Sequence, residues 1–450
     1  MFASGPTLLS ALCLIQAEEH IDVGGRFETR VGQAPTGAVT TSGQLAEQSQ
    51  VIIVATPVLG LRWLEGVDNL RADSATRILW RPVPLYNHRP LFLESLDVVH
   101  IHRSSKRSQW RWNLTGSYGE QDYTSLSQQF ANQPALPNAL TALIVSANGE
   151  TLWRSSRRTT LALQMGALHR RPINAPTTTA SDGSSTTSTT VLWFPTQTAV
   201  VVTPSALFGL SRRSSLELSA PLGDYDIQGI AQTQASTSRV PSLPGQTPTA
   251  QAAFPLGHAN YAAVEPQLSL LDSLTRRHRL HVVAGLTYAV SLRGAVTSRN
   301  PISPLAQVEL NSLLMRTRTS TLRSSIEAGT TWFADPILGQ SVQRSNVQAR
   351  VDAELGPNWT ASLRMAFVTD MFGRMQISTI PPPDEAFRSV DLSVRRRWAN
   401  AAVAEFGARY AERAPYLSPS NYVSNSAWHN RELWAFLILT TEPRRPARPM

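Results

Sequence analysis

The segment Leu280–Leu292, LHVVAGLTYAVSL, decides the fold, because its residues alternate in character along the chain. Leucine, valine, alanine and tyrosine occupy the even positions, while His281, Gly285, Thr287 and Ser291 lie between them. Successive residues of a β-strand point to opposite faces of a sheet. The pattern therefore predicts a strand with one apolar and one polar face.

The same alternation recurs in other parts of the chain. Ile21–Val31 and Val347–Leu355 place apolar residues at one parity and Arg, Asp, Glu or Gln at the other, and Leu216–Leu222, Leu322–Trp332 and Ala361–Met371 are similar. A soluble β-sandwich also alternates, but its strands usually have about five or six residues. The runs here reach about nine to thirteen residues, the length that a tilted strand needs to cross a membrane.

Short polar turns separate the alternating runs: Gly66–Asn69, Ser104–Ser108, Ser155–Thr159, Ser211–Ser215, Thr275–Arg279, Arg316–Ser320, Gly356–Asn358 and Arg396–Asn400. Longer polar connections, such as Pro172–Thr190 and Ala231–His258, alternate with these turns. Short periplasmic turns and long external loops are typical of outer-membrane barrels. The hairpins, with one strand before and one after them, predict an all-β fold. It is a closed antiparallel transmembrane β-barrel of about 18 strands, within a range of about 14 to 18.

Tryptophan residues occur near both ends of the predicted strands. One group lies near the short turns: Trp63, Trp110, Trp153, Trp359 and Trp398. A second group lies near the long connections: Trp80, Trp193, Trp332 and Trp428. Two such groups are typical of the aromatic belts at the two surfaces of a bilayer, although packing at strand ends also places aromatic residues there.

The composition favours a membrane sheet over a nucleic-acid-binding protein. Charged residues are 16% of the chain, and the net charge is +9 with a pI near 10.2. The basic residues recur in small groups along the whole chain, so they do not form one basic domain. The one cysteine, Cys13, lies in the predicted signal segment, so the mature chain is expected to have no disulfide.

The chain divides into three predicted segments. Residues 1–17 resemble a secretory signal peptide, with an apolar core and a small-residue cleavage site before Glu18. Residues 18–441 form the predicted barrel, and residues 442–450 form a flexible tail. No continuous apolar run of about twenty residues follows residue 17, so no transmembrane helix is expected.

The sequence contains no motif that supports enzyme activity, a cofactor or a metal site. His258, His278 and His281 lack metal-ligand spacing, and we expect solvated or lumen-facing side chains. Gly223–Asp226 lacks the oxygen spacing of a calcium loop and is predicted to be a polar loop tip. Ser117 with Asp122 has no supporting histidine nearby.

The polar strand faces are predicted to line the lumen, because charges on the lipid face cost roughly 2–4 kcal/mol for Arg near the midplane. The charged residues predicted there are Arg26, Glu28, Arg30, Arg111, Glu217, Arg323, Glu327, Arg350, Asp352, Glu354, Arg364 and Asp391. Arginines are in modest excess, which would favour anionic solutes weakly. Paired charges that tie strands together explain the same residues equally well.

The whole mature chain resembles the larger outer-membrane barrels, the porins and specific channels of about eighteen strands. Arg89-Pro90-Leu91, Gly116–Thr124 and Asp335–Gln340 also resemble segments of barrel proteins of myxobacteria. Some barrels of that kind complete polysaccharide-export systems. This resemblance implies an export conduit that works with a periplasmic component.

Four hypotheses remain open from the sequence. The first is a non-enzymatic conduit in the outer membrane for export of polysaccharide or another solute. The second is a general or weakly anion-selective diffusion porin, narrowed by Ala231–His258. The third is a non-conducting barrel for surface interactions, and the fourth is a soluble all-β protein. The partners expected are outer-membrane lipid, a periplasmic export component and copies of the same chain, with no nucleic acid.

Overall fold

The computed structural model describes residues 18–39, 45–65, 68–80, 90–121, 140–173, 177–181, 187–191, 196–230, 257–293, 302–334, 341–372, 385–398, 402–415 and 430–441. The predicted signal peptide and tail lie outside these residues. Among the described residues, no helix is long and apolar enough to span a membrane.

The regular structure consists of strands. In chain order they are β1 (Glu18–Val39), β2 (Leu45–Glu65), β3 (Asp68–Trp80), β4 (Leu91–His102), β5 (Ser108–Gln121), β6 (Leu140–Arg154), β7 (Thr159–Pro172), β8 (Thr177–Ser181), β9 (Thr187–Val191), β10 (Thr196–Gly209), β11 (Ser214–Ser219), β12 (Leu222–Ile230), β13 (Gly257–Val264), β14 (Gln267–Asp272), β15 (His278–Arg293), β16 (Ile302–Arg316), β17 (Ser320–Ala334), β18 (Ser341–Leu355), β19 (Trp359–Phe372), β20 (Glu385–Trp398), β21 (Ala402–Pro415) and β22 (Asn430–Thr441).

The strands form one closed antiparallel barrel. Around the barrel the strands pair in chain order, with β7 next to β10, and β1 pairs with β22 from Gly25 opposite Thr441 to Gln33 opposite Leu433. The segments β11 and β12 are two halves of one strand, and so are β13 and β14, while β8 and β9 form a separate hairpin. The barrel therefore has 18 strands, which confirms the predicted fold class and strand number.

Proline residues interrupt two of the barrel strands. Pro221 separates β11 from β12, and Pro266 separates β13 from β14. Proline has no N–H to donate to a neighbouring strand, so it breaks the ladder where it occurs. The carbonyl oxygens of both prolines still accept, from Glu265 N at 2.9 Å and from Leu286 N at 3.2 Å. The two halves consequently stay in the sheet.

Five short turns share one hydrogen-bond arrangement. In the first of them, Ser105 Oγ accepts hydrogen bonds from the backbone N–H groups of Arg107 and Ser108, at 3.1 and 3.0 Å. The hydroxyls that play the same part in the other four turns are those of Ser156, Ser211, Thr275 and Thr317. Ser and Thr favour this local bonding, which explains why a hydroxyl followed by basic residues recurs at these predicted turns.

The turn between β18 and β19 depends on a glycine instead of a hydroxyl group. Gly356 has a φ of +72°, in the left-handed region that favours glycine. The predicted turns at Gly66–Asn69 and Arg396–Asn400 fall partly outside the described residues.

The two faces of the barrel differ as the alternation predicts. Large apolar side chains such as Ile21, Val23, Leu286 and Leu292 lie exposed on the outer surface. The polar residues of opposite parity, such as Arg26, border concave recesses on the inner side of the wall.

Two apolar clusters lie in the half of the barrel that carries the long connections. One contains Ile52, Val54, Leu79 and Trp434. The other contains Ile227, Ala259, Tyr261, Ala263, Ala289 and Trp332. Trp332 is 6% exposed, and its ring lies 5.8 Å from that of Tyr225 and 6.1 Å from that of Tyr261. The prediction that Trp332 belongs to an interfacial belt is therefore wrong, because these aromatic contacts bury it.

Candidate functional site

The outer surface of the barrel shows the environment in which it resides. Apolar side chains cover the middle of the strands. Trp110, Trp153, Trp359 and Trp398, between 38% and 52% exposed, lie on the outer face near the short turns. Trp80, 41% exposed, lies at the opposite end of β3. A closed barrel satisfies its backbone hydrogen bonds internally, and an apolar band between aromatic residues matches a bilayer. The chain is an outer-membrane β-barrel. The tryptophans at positions 193 and 428 lie outside the described residues.

The inner wall formed by β1 and β18 to β22 holds a recess of about 320 Å³, which we call the charged recess. Its charged members are six arginines and four carboxylates: Arg26, Arg30, Arg350, Arg364, Arg395, Arg409, Glu28, Asp352, Asp391 and Glu405. Hydroxyl groups from Thr360, Ser362 and Ser393 also line it. The recess therefore carries more positive than negative charge.

Arginines neutralise three of the four carboxylates. Glu28, 5% exposed, accepts from Arg26 at 2.9 Å and from Arg30. Arg350 bonds to Asp352 at 2.7 Å. These are charge-assisted hydrogen bonds between residues two positions apart on the inner face of one strand, β1 or β18, so they offset the carboxylate charge without linking neighbouring strands.

Asp391 is neutralised by a two-pronged contact from the next strand. Arg409 donates from both Nε and Nη2 to the two carboxylate oxygens of Asp391, with an Nη2–Oδ2 distance of 3.3 Å. Arg364 lies opposite Asp391 in the strand register and opposite Arg350 on its other side. Within the part of the chain that the structure describes, Arg364 makes no ion pair, and its side chain is exposed to the recess.

A second recess, of about 370 Å³, lies on the wall formed by β5, β6, β7 and β10. Its lining is mostly uncharged, with the amides of Asn113, Asn148 and Gln164 beside Arg111 and Glu150. Glu150 accepts from Gln164 Nε2 at 3.1 Å. Arg111 lies opposite Glu150 in register but, like Arg364, forms no ion pair with any described residue.

Arg111 and Arg364 lie on opposite sides of the lumen. With each proline-interrupted pair counted as one strand and the β8–β9 hairpin left out, β5 is the fifth and β19 the fifteenth of the 18 strands. Both residues lie in the half of the strand nearer to the short turns. The lumen thus presents two exposed guanidinium groups from opposing walls.

The remaining predicted lumen residues lie on the inner face but not in either recess. Arg323 lies opposite Asp352 in register and contacts Glu354 at 3.5 Å. Glu327 accepts from Gln307 Nε2 at 3.0 Å, and Glu217 lies on the inner side of β11. The structure brings Arg26, Glu28, Arg30, Arg350, Asp352, Arg364 and Asp391 together at the charged recess and leaves Arg111 on the other wall.

Sequence reasoning missed several residues of the charged recess. Arg395, Glu405 and Arg409 have the correct parity on β20 and β21, and the alternation of those strands could have identified them. Trp434 and Phe436 also face the recess, although their neighbours on β22 form part of the lipid-facing surface. Because β22 is apolar on both faces, alternation could not assign its inner side.

The three histidines considered from the sequence lie in separate places. His258 pairs with Asp226 near the long-connection end, and His278 bonds to Ser312 Oγ at 3.0 Å near the short turns. His281 bonds to Ser269 Oγ at 2.8 Å on the inner face. The described residues contain no group of three His, Cys, Asp or Glu arranged to hold a metal ion.

Gly223–Asp226 is not a loop tip as predicted. These residues lie within β12 and pair with β10 and β13. The inward Tyr225 packs against Trp332. This contact stabilises a strand in a segment whose sequence is mostly polar. Ser117 lies on β5, whereas Asp122 is outside the described residues.

A polar cluster on the outer face was also missed. Asp68 Oδ1 lies 3.1 Å from His100 Nε2 and 2.6 Å from His102 Nδ1. The rings of Trp110 and Trp112 pack against these histidines at centroid distances between 5.1 and 5.5 Å. The cluster lies near the short turns, at the level of the aromatic residues, where polar groups reach water or headgroups.

Comparison with known proteins does not assign this chain to a family. No protein-family model and no curated protein matches the sequence. Among solved structures, the chain is similar to a mutant of the ferric enterobactin receptor PfeA from Pseudomonas aeruginosa, with 8% identity over 93% of this chain and 80% of that chain and a TM-score of 0.46. It is also similar to the copper transporter OprC, with 10% identity over 94% and 81% and a TM-score of 0.45.

A third similar structure is the RagAB peptide importer in its closed-closed state, with 10% identity and a TM-score of 0.45. The match covers 88% of this chain and 61% of that chain. Identities and scores this low identify no substrate for the present protein.

Proposed function

We propose that this barrel is a non-enzymatic conduit of the outer membrane that weakly prefers anionic solutes. The observation that carries the proposal is the placement of Arg111 and Arg364 on opposing walls, each exposed and without an ion pair to a described residue. An anion that passes between them meets positive charge from both sides. Rings of like charge set selectivity in pores in this way.

The paired charges around Arg364 support a weak rather than a strong preference. Asp352, Asp391 and Glu28 are each held by arginine, so most of the positive charge in the charged recess is offset by a nearby carboxylate. Charges in a water-filled lumen act over a Debye length of about 8–10 Å at moderate salt. The unpaired guanidinium groups of Arg111 and Arg364 therefore add to a small net positive charge on the inner wall.

The test is the reversal potential of single channels in a planar bilayer under a potassium chloride gradient. We expect the wild-type barrel to conduct and to pass chloride more readily than potassium. The double variant Arg111→Gln/Arg364→Gln should bring the permeability ratio close to one, because both unpaired cations are removed. Arg388→Gln, on the outer face, serves as the control that leaves the ratio unchanged. A refolded barrel without conductance, or a ratio unaffected by the double variant, would contradict the proposal.

A second candidate is a non-conducting barrel for surface interactions. The two apolar clusters favour it, because their strands lie on opposite sides of the barrel in the half that carries the long connections. Tyr261 in one cluster is fully buried, and Trp434 in the other is 4% exposed. A closed external half would give a folded barrel with no conductance in the same experiment.

Export of polysaccharide with a periplasmic component stays a prediction from resemblance. The similar solved structures give it no support, and no described residue distinguishes export from diffusion. A conducting wild-type channel that admits small ions in both directions would favour diffusion.

A further inference from the structure

The five turns that share the Ser or Thr hydrogen bond also share a charge pattern. They occupy residues 103–107, 155–158, 210–213, 273–277 and 317–319, and they carry ten Arg and Lys residues and no carboxylate. Examples are Arg157 with Arg158 and Arg212 with Arg213, in which each pair follows the hydroxyl residue. All ten side chains are exposed, and none forms an ion pair with a described residue.

These turns are consecutive around one end of the barrel. They join β4 to β5, β6 to β7, β10 to β11, β14 to β15 and β16 to β17. The next turn, between β18 and β19, is Gly356-Pro357-Asn358 and carries no charge. The sequences Gly66-Val67 and Ala399-Asn400-Ala401 that join the other short hairpins are also uncharged. The charged turns therefore form a basic arc along about half of this rim.

The position of the basic arc along the membrane normal, relative to the apolar surface, indicates which part of the bilayer contacts it. Trp110 and Trp153, on the outer face, lie within three residues of the first two turns. Interfacial tryptophans mark the edge of the hydrocarbon layer. At roughly 3.3 Å per residue along a tilted strand, the arginines of the turns lie within about 10 Å beyond that edge, where lipid phosphates lie.

We propose that the basic arc binds the phosphates of anionic phospholipids in the periplasmic leaflet. Guanidinium groups form two-pronged hydrogen bonds with phosphate, which favours arginine over lysine at such sites. In four of the five turns the hydroxyl accepts from the N–H of a basic residue and from that of the next strand's first residue, which fixes the backbone at that basic residue. In the fifth turn the Thr317 hydroxyl accepts from Thr319 and Ser320. A lipid surface matches the arc because both follow the circumference of the barrel directly beyond its apolar band.

The test measures retention of lipid by the intact refolded barrel with native mass spectrometry. The probe is dioleoylphosphatidylglycerol, compared with dioleoylphosphatidylcholine of the same acyl chains. We expect phosphatidylglycerol to bind more tightly than phosphatidylcholine. The variant Arg157→Gln/Arg158→Gln/Arg212→Gln/Arg213→Gln should weaken binding of phosphatidylglycerol by about tenfold or more, since each basic residue near a lipid surface contributes about fivefold. Lysine at the same four positions should bind more tightly than glutamine but more weakly than arginine, because it keeps the charge without the two-pronged geometry.

Two controls make the result decisive. Arg111→Gln/Arg364→Gln removes lumen charges that make no ion pair, and it should leave lipid binding unchanged. A heat-dependent gel shift verifies that every variant is folded. Equal binding of the two lipids, or unchanged binding by the four-residue glutamine variant, would overturn the proposal. If the four-residue glutamine variant lost binding to a polyglutamate peptide but kept its binding to phosphatidylglycerol, the arc would be assigned to an acidic protein instead.

Discussion

Gly32 on β1 lies directly opposite Trp434 on β22, at the seam where the first and last strands close the barrel. A Cβ atom at Gly32 would lie 1.9 Å from the Leu433 carbonyl oxygen and 2.8 Å from Trp434 Cε3. Trp434 is 4% exposed and belongs to the apolar cluster with Ile52 and Val54. The absence of a side chain at residue 32 therefore lets the indole ring lie against the seam.

We expect Gly32→Val to prevent closure of the barrel. The added atoms would overlap backbone of the partner strand, which cannot move without breaking the ladder between β1 and β22. The fraction that shows a heat-dependent gel shift after refolding should fall sharply. The matched control is Gly149→Ala, because a Cβ there has no heavy atom within 4 Å. Equal refolding of Gly32→Val and Gly149→Ala would show that the close approach is unimportant.

Arg344 and Asp370 form the best-aligned ion pair between β18 and β19. Nε and Nη2 of Arg344 each donate to one oxygen of Asp370 at 2.7 Å, and Asp370 is 8% exposed. We expect Arg344→Met to lower the free energy of unfolding by about 1–3 kcal/mol, because a buried carboxylate loses its partner. Chemical denaturation of the barrel in lipid vesicles, with tryptophan fluorescence as the signal, measures the change.

The pair Arg323 and Glu354 provides the comparison for that prediction. Their contact is 3.5 Å, and their side chains are 61% and 45% exposed. Arg323→Met should therefore change the stability by less than about 1 kcal/mol, as is usual for exposed pairs. If both substitutions lowered the free energy of unfolding equally, burial of Asp370 would not determine the loss of stability.

Asp391→Asn should change ion selectivity in the direction opposite to Arg364→Gln. Asp391 neutralises Arg409 and lies opposite Arg364 in the strand register. Its removal would add one net positive charge to the charged recess, because Arg409 would lose its hydrogen-bonded carboxylate partner. We expect the preference for chloride to rise by about twofold, because lumen charges act over roughly a Debye length. Reversal potentials measure the ratio, and a fall in chloride preference would contradict the assigned charge balance.

The alternation of residue types predicted the sheet because it is a local property. In Leu280–Leu292 the outward Leu286 and the inward Thr287 lie on the predicted faces. The strand breaks at Pro221 and Pro266 were not predicted, since the hairpin pattern continues across them. The pairing of β8 with β9 was missed as well, because a polar Thr-rich segment gives no alternation.

The site depends on information that no single strand contains. Arg111 and Arg364 are predicted lumen residues, but only ring closure determines that their strands lie on opposite sides. Likewise, the basic groups of the turns are visible in the sequence. Their arrangement as one continuous arc follows from the order of the strands around the barrel.

Substitution of tryptophan by alanine should destabilise the barrel more on the buried inner face than on the exposed outer face. Trp434 is buried on the inner face of the barrel, where its Nε1 donates to Glu432 at 3.3 Å, whereas Trp153 is 52% exposed on the outer face. We expect Trp434→Ala to lower the free energy of unfolding by about 3–5 kcal/mol, as for a buried aromatic residue. Trp153→Ala should cost clearly less, since the indole contacts lipid on its exposed side.

Brominated lipids provide a second measurement of the same difference, because bromine on an acyl chain quenches nearby indole fluorescence. Removal of Trp153 should reduce the quenched fraction of the signal, and Trp434→Phe, which keeps an aromatic ring in the cluster, should leave the quenched intensity unchanged. If Trp434→Phe removed quenched intensity instead, the indole of Trp434 would have to reach the lipid. The inner position of that side chain and the apolar seam around Gly32 would then both be wrong.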